Sequence, residues 1–293
     1  MHSFLNDLVF GTGLVRGQPM VTLAGILSLT VGLGLNVLLF TLANAVLFNP
    51  LPLRGADRFV VLQQLRELST AMDFSYPAYQ GFRDASAGVF DSLSAYSWTN
   101  AAARAAEGVT ESIDGEYVSG NLMGDLEAPI AMGRGLTPDD DRPDAPPVVV
   151  VSHRYWQKRF AGAPLSGQTL VLNQQTFTVV GVAAPSFLGM EPGRDTSFWI
   201  PVGQMQVLEG RDLRARATTS WLSLLGRLAP GVTREEAIAR LSPFAENFYT
   251  AHGYAPQGFG LADGSQGAGG LRERLEDPFR LLMAASFFVL LIA

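Results

Sequence analysis

The residues that could perform chemistry are few and scattered along the chain. A phosphate-binding P-loop needs a lysine followed by serine or threonine, but the one lysine, Lys158, is followed by arginine. The three histidines, His2, His153 and His252, show no H-x-x-x-H spacing, and there is no cysteine to join them in a zinc site. The sequence therefore predicts neither a P-loop nor a metal site.

Patterns for nucleophilic or calcium-dependent chemistry are also weak. No G-x-S-x-G elbow occurs, and Ser152 beside His153 is poorly suited to a catalytic triad because adjacent side chains seldom point at each other. The acidic residues 139–141 and Asp144 could attract calcium, but the glycine and terminal glutamate of an EF-hand loop are absent, and a solvated acidic turn is the simpler interpretation. We therefore predict no catalytic residue, no cofactor, no metal and no enzymatic activity.

One apolar segment near the N-terminus carries a pattern that predicts a specific contact. Gly25, Ser28, Gly32 and Asn36 recur at intervals of three and four, which places them on one face of a helix. Small residues let membrane helices approach closely, and an asparagine in hydrocarbon seeks an interhelical hydrogen bond worth about 0.6–2 kcal/mol. We predict that this face packs against another membrane helix; an incidental or lipid-facing run of small residues is the alternative.

The element that must carry this face is a membrane span predicted at residues 20–48. No charged side chain occurs in the 37 residues between Arg16 and Arg54. A helix over residues 20–48 is about 43 Å long, enough to cross a hydrocarbon core of about 30 Å. A cleaved signal peptide with an A-x-A site at residues 43–45 is the alternative, but signal h-regions are only about 7–15 residues long.

A second apolar run, residues 281–293, predicts the start of another membrane helix. A helix of this length reaches only about 20 Å and would leave its last carbonyls unsatisfied in hydrocarbon. We therefore expect an N-terminal fragment of a longer multi-pass protein, with a buried C-terminal core helix as the alternative. Residues 1–19 are expected in the cytoplasm, because a long loop between two spans can translocate regardless of its charge.

The 227 residues between the apolar ends, residues 54–280, have the composition of a folded domain outside the membrane. They carry 26 acidic and 20 basic side chains. This balance, without a basic run, argues against nucleic-acid binding and against electrostatic binding to anionic lipid. The absence of cysteine excludes disulfides.

Capping residues predict three helices in this domain. Ser75 can cap a helix that ends at Asp84, and Ser152 can cap a helix over residues 153–160. Thr233 opens a longer helix with the spacing of a capping box. The apolar stripe of that helix should pack on a sheet, and it consists of Ile238, Leu241, Ala245 and Phe248.

Short β-rich runs separated by Gly, Pro and Asp predict most of the remaining structure. The predicted strands are residues 59–62, 90–97, 111–119, 148–151, 176–182 and 221–228. The glycine-rich residues 257–270 are expected to be a flexible connector before the second span.

Several segments together resemble the MacB/FtsX-like permease family, in particular its large, internally duplicated orphan permeases. They are residues 31–62, which end in NAVLFNPLPLRGADRFVVL, SYPAYQGFRD at 75–84, VVVSHRYWQKRF at 149–160, FWIPV at 198–202 and RLAPGVTREEA at 227–237. Each piece alone is weak, but the set covers almost the whole chain.

The resemblance implies an α+β fold and a place in a bacterial inner membrane. The first membrane helix would lead to a MacB-like periplasmic core at residues 54–280. A porter-like α/β part, residues 54–115 and 215–256, would hold an inserted β-rich part at 116–214. Three further spans would follow in the full-length protein.

The resemblance also implies partners. The permease would form a homodimer or pseudo-dimer through its membrane helices, meet a possible periplasmic partner, and work with a cytoplasmic ABC ATPase supplied as a separate chain. A membrane-anchored extracytoplasmic binding or assembly module that uses no ATP is the alternative function. The transported substrate or signal does not follow from such a fold.

Overall fold

The computed structural model describes residues 55–66, 69–71, 73–104, 110–142, 144–191, 194–254 and 258–265, and single positions within residues 20–41 and 281–284. Residues 50–269 form one compact unit, and residues 1–49 with 270–293 form another. In the latter unit every described position is helical. No helix among all these described residues is long and apolar enough to cross a bilayer. The spans predicted at 20–48 and 281–293 lie largely outside the described residues and stay predictions.

The larger unit is built on a twelve-stranded sheet. Its strands are β1 (Phe59–Arg66), β2 (Ser69–Ala71), β3 (Asp73–Phe74), β4 (Phe90–Arg104), β5 (Thr110–Val118), β6 (Ile130–Gly133), β7 (Val148–Val151), β8 (Thr169–Leu172), β9 (Gln175–Ala183), β10 (Phe198–Pro201), β11 (Leu222–Leu228) and β12 (Gly258–Asp263). The order across the sheet is β12-β1-β11-β4-β5-β10-β7-β9-β6, with β2 on β1, β3 on β11, and β8 on both β4 and β9. Along this order the neighbours are antiparallel except for the parallel pairs β5 with β10 and β7 with β9.

Each face of the sheet carries a hydrophobic core cluster, which explains its uninterrupted apolar runs. In β7, Val149 and Val151 belong to one core cluster, while Val148 and Val150 belong to a second. Because successive side chains of a strand point to opposite faces, a run of four valines requires cover on both sides. The same alternation divides the first residues of β1 between the two clusters.

Among the described residues of the larger unit, five α-helices accompany the sheet, and the three predicted from their caps are confirmed. They are α1 (Tyr76–Ala85), α2 (Leu122–Asp125), α3 (His153–Phe160), α4 (Met205–Glu209) and α5 (Arg234–Ala251). The Ser75 hydroxyl accepts from the Ala78 amide at 3.3 Å, and the Ser152 hydroxyl accepts from the Tyr155 amide at 3.2 Å. Each bond satisfies one of the free amides of a first helical turn.

The capping box predicted at the start of α5 is formed only in part. The Thr233 hydroxyl accepts from the Glu236 amide at 3.2 Å, as the spacing predicts. The Glu236 carboxylate instead accepts from Arg240 at 2.5 Å, one turn along the same helix. A charged partner four residues away therefore takes the side chain that a capping box would turn back to the helix start.

Helices α1 and α5 cover one face of the sheet through aromatic contacts. The Phe82 ring lies 5.6 Å from Phe74, 4.8 Å from Phe244 and 5.2 Å from Phe259. Such contacts stabilise beyond the burial of area alone. The stripe predicted on α5 faces this core: two of its members, Leu241 and Ala245, are buried, and the other two are partly buried against the same cluster.

The prediction of a flexible connector at residues 257–270 is wrong for residues 258–263, which form β12. This strand pairs with six residues of β1, from Val60 opposite Asp263 to Leu65 opposite Gly258. Phe259 fixes the strand by packing into the core, where it is 6% exposed. Glycine favours flexibility in isolation, but at the edge of a sheet it also lets a neighbouring side chain approach closely.

Several strands extend beyond their predicted ends. Strand β4 continues seven residues past residue 97, and β1 continues four residues past Leu62. Cross-strand pairing holds these extensions, since β4 pairs with β5 from Tyr96 to Arg104. The mixed α and β composition predicted for the core is confirmed, whereas its division into a porter-like part and an inserted part stays a prediction.

Candidate functional site

The helix face predicted to pack in the membrane is almost entirely outside the described residues. Gly32 is described and is helical and buried. Gly25, Ser28 and Asn36 lie outside the described residues. The predicted contact between membrane helices therefore stays a prediction.

Of the residues first considered for chemistry, His2 lies outside the described residues, and the others lie within or beside helices. Ser152 caps α3, and His153 is the first residue of the same helix. His252 follows the end of α5, where its Nδ1 lies 2.7 Å from the Phe248 carbonyl oxygen. Within the described ranges no group of three or more His, Cys, Asp or Glu side chains could hold a metal ion.

The acidic turn at residues 139–144 is solvated only in part, which corrects the prediction. Asp139 and Asp144 have highly exposed side chains, as expected. Asp140, in contrast, is only 7% exposed and accepts two hydrogen bonds from Arg134, at 2.6 and 2.8 Å. Burial opposes ionisation of Asp140, but hydrogen bonds from Arg134 and Thr137 lower the pKa of its carboxyl below the ordinary value.

Asp141 joins two parts of the chain that are far apart in sequence. Its carboxylate accepts from the Gly203 amide at 2.5 Å and from the Gly120 amide at 3.4 Å. Burial raises the pKa of Asp141 to about 6, although these two amides act in the opposite direction. The carboxylate therefore ties the chain after β5 to the chain after β10.

A second polar cluster joins α1, α2 and β4. The Asn121 amide group donates to the Leu93 carbonyl at 3.0 Å and to the Asp125 carboxylate at 2.6 Å. Its carbonyl oxygen accepts from the Tyr79 hydroxyl at 3.3 Å. Burial raises the pKa of Tyr79 to about 12, so the phenol stays neutral and able to donate at ordinary pH.

The most unusual group in the described structure is Glu116 on β5, which is 0% exposed. Its two carboxylate oxygens accept from the Trp199 indole at 2.7 Å and from the Met190 amide at 2.8 and 3.1 Å. The Glu191 amide and the Thr196 hydroxyl also donate to it, each at 3.3 Å. Each of these donors is a neutral group, so none supplies a positive charge to the buried carboxyl.

Electrostatics around Glu116 favour the protonated carboxyl. Burial, with a smaller contribution from the nearby Glu191 carboxylate, raises its pKa from 4.5 to about 7. The hydrogen bonds from Met190, Trp199 and the Glu191 amide act in the opposite direction, since they stabilise the ionised form. The carboxyl therefore titrates near neutral pH rather than in the ordinary acidic range.

The chain that covers Glu116 is residues 184–191, called here the 184–191 loop. Phe187 and Met190 of this loop are buried in the second core cluster, whereas Leu188 between them is 70% exposed. Gly189 has a φ of +99°, a conformation that L side chains rarely adopt. One buried carboxyl and one glycine thus shape a loop that presents an apolar side chain to solvent.

Sequence reasoning missed Glu116 because its partners are distant along the chain. The bonds to Met190 and Trp199 span 74 and 83 residues. The only local signal is a glutamate within a short strand pattern, which is equally typical of a solvated side chain. Its burial follows from the cover that the 184–191 loop and Trp199 place over it.

The arrangement of these groups supports positioning rather than catalysis. Glu116, Asp141 and Asn121 each join segments far apart in sequence through backbone amides, carbonyls and neutral side chains. A hydrolytic site would need a nucleophile, a base and an oriented third group in one constellation. The described polar clusters instead hold loops and helices on the sheet.

Comparisons with known proteins identify the fold. The family model of the MacB-like periplasmic core domain matches residues 22–244, more than half of the chain. A search of curated proteins found no match.

Solved structures similar to this chain include a periplasmic region, an extracellular domain and a domain of a permease protein. The periplasmic region of MacB from Actinobacillus actinomycetemcomitans aligns with a TM-score of 0.53 at 12% identity, covering 75% of this chain and 94% of that chain. The extracellular domain of the noncanonic ABC-type transporter YknZ from Gram-positive bacteria aligns with a TM-score of 0.50 at 14% identity, covering 70% and 99%. A domain of a putative permease protein from Porphyromonas gingivalis gives 0.53 at 13%, covering 72% and 91%.

Identities this low establish a shared fold and no shared function. The family match, however, extends over most of the sheet and reaches residue 244 in α5. The chain belongs to the MacB-like periplasmic core domain family.

Proposed function

We propose that this chain is part of a permease subunit of an ABC-type efflux or mechanotransmission complex in a bacterial inner membrane. A separate cytoplasmic ATPase would drive the movement of its extracytoplasmic domain. The observation that carries the proposal is the family match over residues 22–244, together with the mixed α and β sheet fold. The similar structures named above include MacB, the ABC-type transporter YknZ and a permease protein.

The membrane attachment is inferred from hydropathy. Residues 20–48 are long and apolar enough to span a bilayer, and residues 281–293 begin a second apolar segment. The family match starts at residue 22, inside the first predicted span. This coincidence favours a domain that follows directly on its first membrane helix.

The sequence has no P-loop lysine, which permits an ATPase supplied as a separate chain. Lys158, the one lysine, lies in α3 and forms an ion pair with Glu111 at 2.6 Å. We propose that a separate ATPase binds through the membrane helices or the cytoplasmic residues 1–19. We also propose a homodimer or pseudo-dimer. Gly25, Ser28, Gly32 and Asn36 share one helix face, and small residues on such a face favour packing of membrane helices.

The internal organisation of the larger unit suits transmission of movement. Buried carboxylates fix loops on the sheet, and both faces of the sheet carry a packed core. Close-packed interiors shift as units rather than deform continuously. Such a domain would carry a displacement from a membrane helix to an outer partner.

The test is recovery of an ATPase with the protein. The full-length protein, tagged and expressed in its own host, would be purified from membranes in mild detergent, and bound partners would be identified by mass spectrometry. We expect an ABC-type ATPase at near-stoichiometric yield, and a mutation that abolishes its ATP hydrolysis should leave the association intact. Purification without any ATPase, in detergent that preserves the dimer, would support an ATP-independent binding or assembly module instead.

A further inference from the structure

Glu116 lies beneath the 184–191 loop. Its carboxyl is buried, and it receives hydrogen bonds from the Met190, Glu191, Thr196 and Trp199 donors described above. An ionised carboxylate buried without a positive partner is unfavourable, because neutral donors replace only part of its hydration.

The charged side chains around this carboxyl do not supply a compensating charge. The Glu191 carboxylate carries the same charge and is paired with Arg194. The Arg194 guanidinium lies over the Trp98 ring, 4.5 Å from its centroid. From β4, Tyr96 faces the same site, and burial raises the pKa of its phenol, so Tyr96 stays neutral across the physiological range.

The neutral acid can keep hydrogen bonds to Thr196, Trp199 and Met190 in the same site. A protonated oxygen of Glu116 can donate to the Thr196 hydroxyl, since a hydroxyl is both donor and acceptor. The other oxygen continues to accept from the Trp199 indole and the Met190 amide. Protonation is therefore compatible with the donors that hold both carboxyl oxygens.

The 184–191 loop must move before Glu116 can reach water. Two of the donors, the Met190 and Glu191 amides, belong to this loop. Phe187 and Met190 pack on the core beneath it, with the Phe187 ring 5.1 Å from that of Trp199. Opening the loop would hydrate the carboxyl and uncover apolar surface in the same movement.

We propose that the 184–191 loop is a proton-sensitive lid, which closes over the neutral Glu116 carboxyl and opens when rising pH ionises that carboxyl. Opening exposes the apolar side chains of Phe187, Met190 and Trp199. In an extracytoplasmic domain such a lid would make an apolar surface available according to the pH outside the membrane.

The direction of the effect follows from linkage. In the closed state burial raises the pKa of Glu116 to about 7, whereas a hydrated carboxyl has a pKa near 4.5. The closed state therefore binds the proton more tightly. Its stability relative to the open state is greatest below the lower of the two pKa values. Between the two values the ratio of closed to open loop falls about tenfold per pH unit, to a total of about 300-fold, and above the higher value it is constant.

Hydrogen exchange measured on the full chain in detergent micelles tests the lid. Protection factors of peptides covering residues 187–191 would be corrected for intrinsic exchange and compared between pH 5 and pH 8. We expect a loss of protection of at least about thirtyfold as the pH rises. Peptides of α5 provide the internal reference and should change by less than about threefold.

Two variants separate the lid from a general pH effect. Glu116→Gln cannot ionise, and its amide can still accept from Trp199 and Met190 through its oxygen and donate to Thr196 through its nitrogen, so its loop should remain protected at both pH values. Glu191→Gln removes the neighbouring charge, so it should keep the pH dependence with a lower midpoint. Loop protection that is independent of pH in the unmodified protein, or an equal pH dependence in Glu116→Gln, would overturn the proposal.

A second measurement uses the unmodified protein, so it does not depend on the folding of a variant. The chain has four tryptophans, so the indole N–H signals in a ¹H–¹⁵N spectrum are few, and Trp199 donates directly to Glu116. We expect the Trp199 indole signal to titrate with a midpoint near neutral pH, while that of Trp156 stays unchanged. A Trp199 signal that does not titrate between pH 5 and pH 8 would also refute the lid.

Discussion

At the level of single residues, the structure shows side chains whose roles depend on partners distant in sequence. The sequence pattern predicts Glu116 to be an ordinary glutamate in a strand. Its contact with a loop 74 residues away makes it a buried acid. The caps Ser75, Ser152 and Thr233 were predictable because a cap acts within three residues. Local chemistry is therefore readable from sequence, and long-range polar contacts are not.

Gly189→Ala tests the close packing around Glu116. A Cβ at this position would lie 2.7 Å from both the Glu116 Oε1 and the Thr196 Oγ1 atoms, and the φ of +99° disfavours any L side chain. Gly189→Ala should lower the free energy of unfolding by about 2–4 kcal/mol, measured by urea unfolding with tryptophan fluorescence. The control is Gly210→Ala, where φ is +69° and no atom lies within 4 Å, which should cost about 1 kcal/mol. Equal effects of the two substitutions would contradict the close packing at Glu116.

Asp140 gives a prediction of pH dependence. Its pKa is lowered in the folded protein by hydrogen bonds from Arg134 and Thr137, against the effect of burial. Its contribution to stability is therefore full above the ordinary aspartate pKa of about 4 and is lost as the pH falls through the lower folded value. Asp140→Asn should destabilise the protein by about 1–3 kcal/mol at pH 7, and the difference should shrink in acid.

Asp139→Asn is the matched control for Asp140. The Asp139 side chain is 87% exposed, and its nearest cation, Arg142, is 3.9 Å away. Exposed pairs of this kind contribute little to stability, so the variant should unfold like the unmodified protein at every pH. An Asp140→Asn variant with the same small effect would show that its buried ion pair with Arg134 does not form.

At the level of elements, strand existence was predictable but strand extent was not. The apolar run of β7 predicts a buried strand over the residues observed. The last part of β4 is held mainly by its pairing with β5, a contact that composition does not reveal. Strand β12 was missed for the same reason, since its glycines suggest a connector until β1 is placed beside them.

Phe259 tests whether β12 is an integral strand. The side chain is 6% exposed and stacks on Phe82 with ring centroids 5.2 Å apart. Phe259→Ala should lower the free energy of unfolding by about 3 kcal/mol, because it removes a large buried ring and leaves a cavity. Leu65→Ala on the neighbouring strand is the control, since Leu65 is 43% exposed, and it should cost less than about 1 kcal/mol. A negligible effect of Phe259→Ala would restore the interpretation of this segment as a connector.

At the level of the whole molecule, the motifs that resemble the family correspond to single helices and strands that the sheet joins. The segments SYPAYQGFRD and VVVSHRYWQKRF become α1 with its cap, and β7 followed by α3. Each motif contains a capping serine, and the second also begins with a run of valines, so local interactions determine both elements. The order in which the strands join into one sheet depends on pairings between distant residues, and sequence patterns alone left that order open.

The last prediction concerns the assembly that would give this domain its function. If residues 25, 28, 32 and 36 form a helix contact within the membrane, leucine at the small and polar positions would hold the helices apart and remove the interhelical hydrogen bond. The double variant Gly32→Leu and Asn36→Leu of the full-length protein should therefore lose most of its dimer and its ATPase, measured by cross-linking in membranes and by co-purification. Leu33→Ala is the control, because Leu33 is 53% exposed and lies between the two substituted positions. The extracytoplasmic unit should keep its fold in both variants, since the substitutions lie in the other compact unit. If the double variant assembles like the unmodified protein, the four residues are an incidental run of small side chains, and the coupling to an ATPase must use another surface.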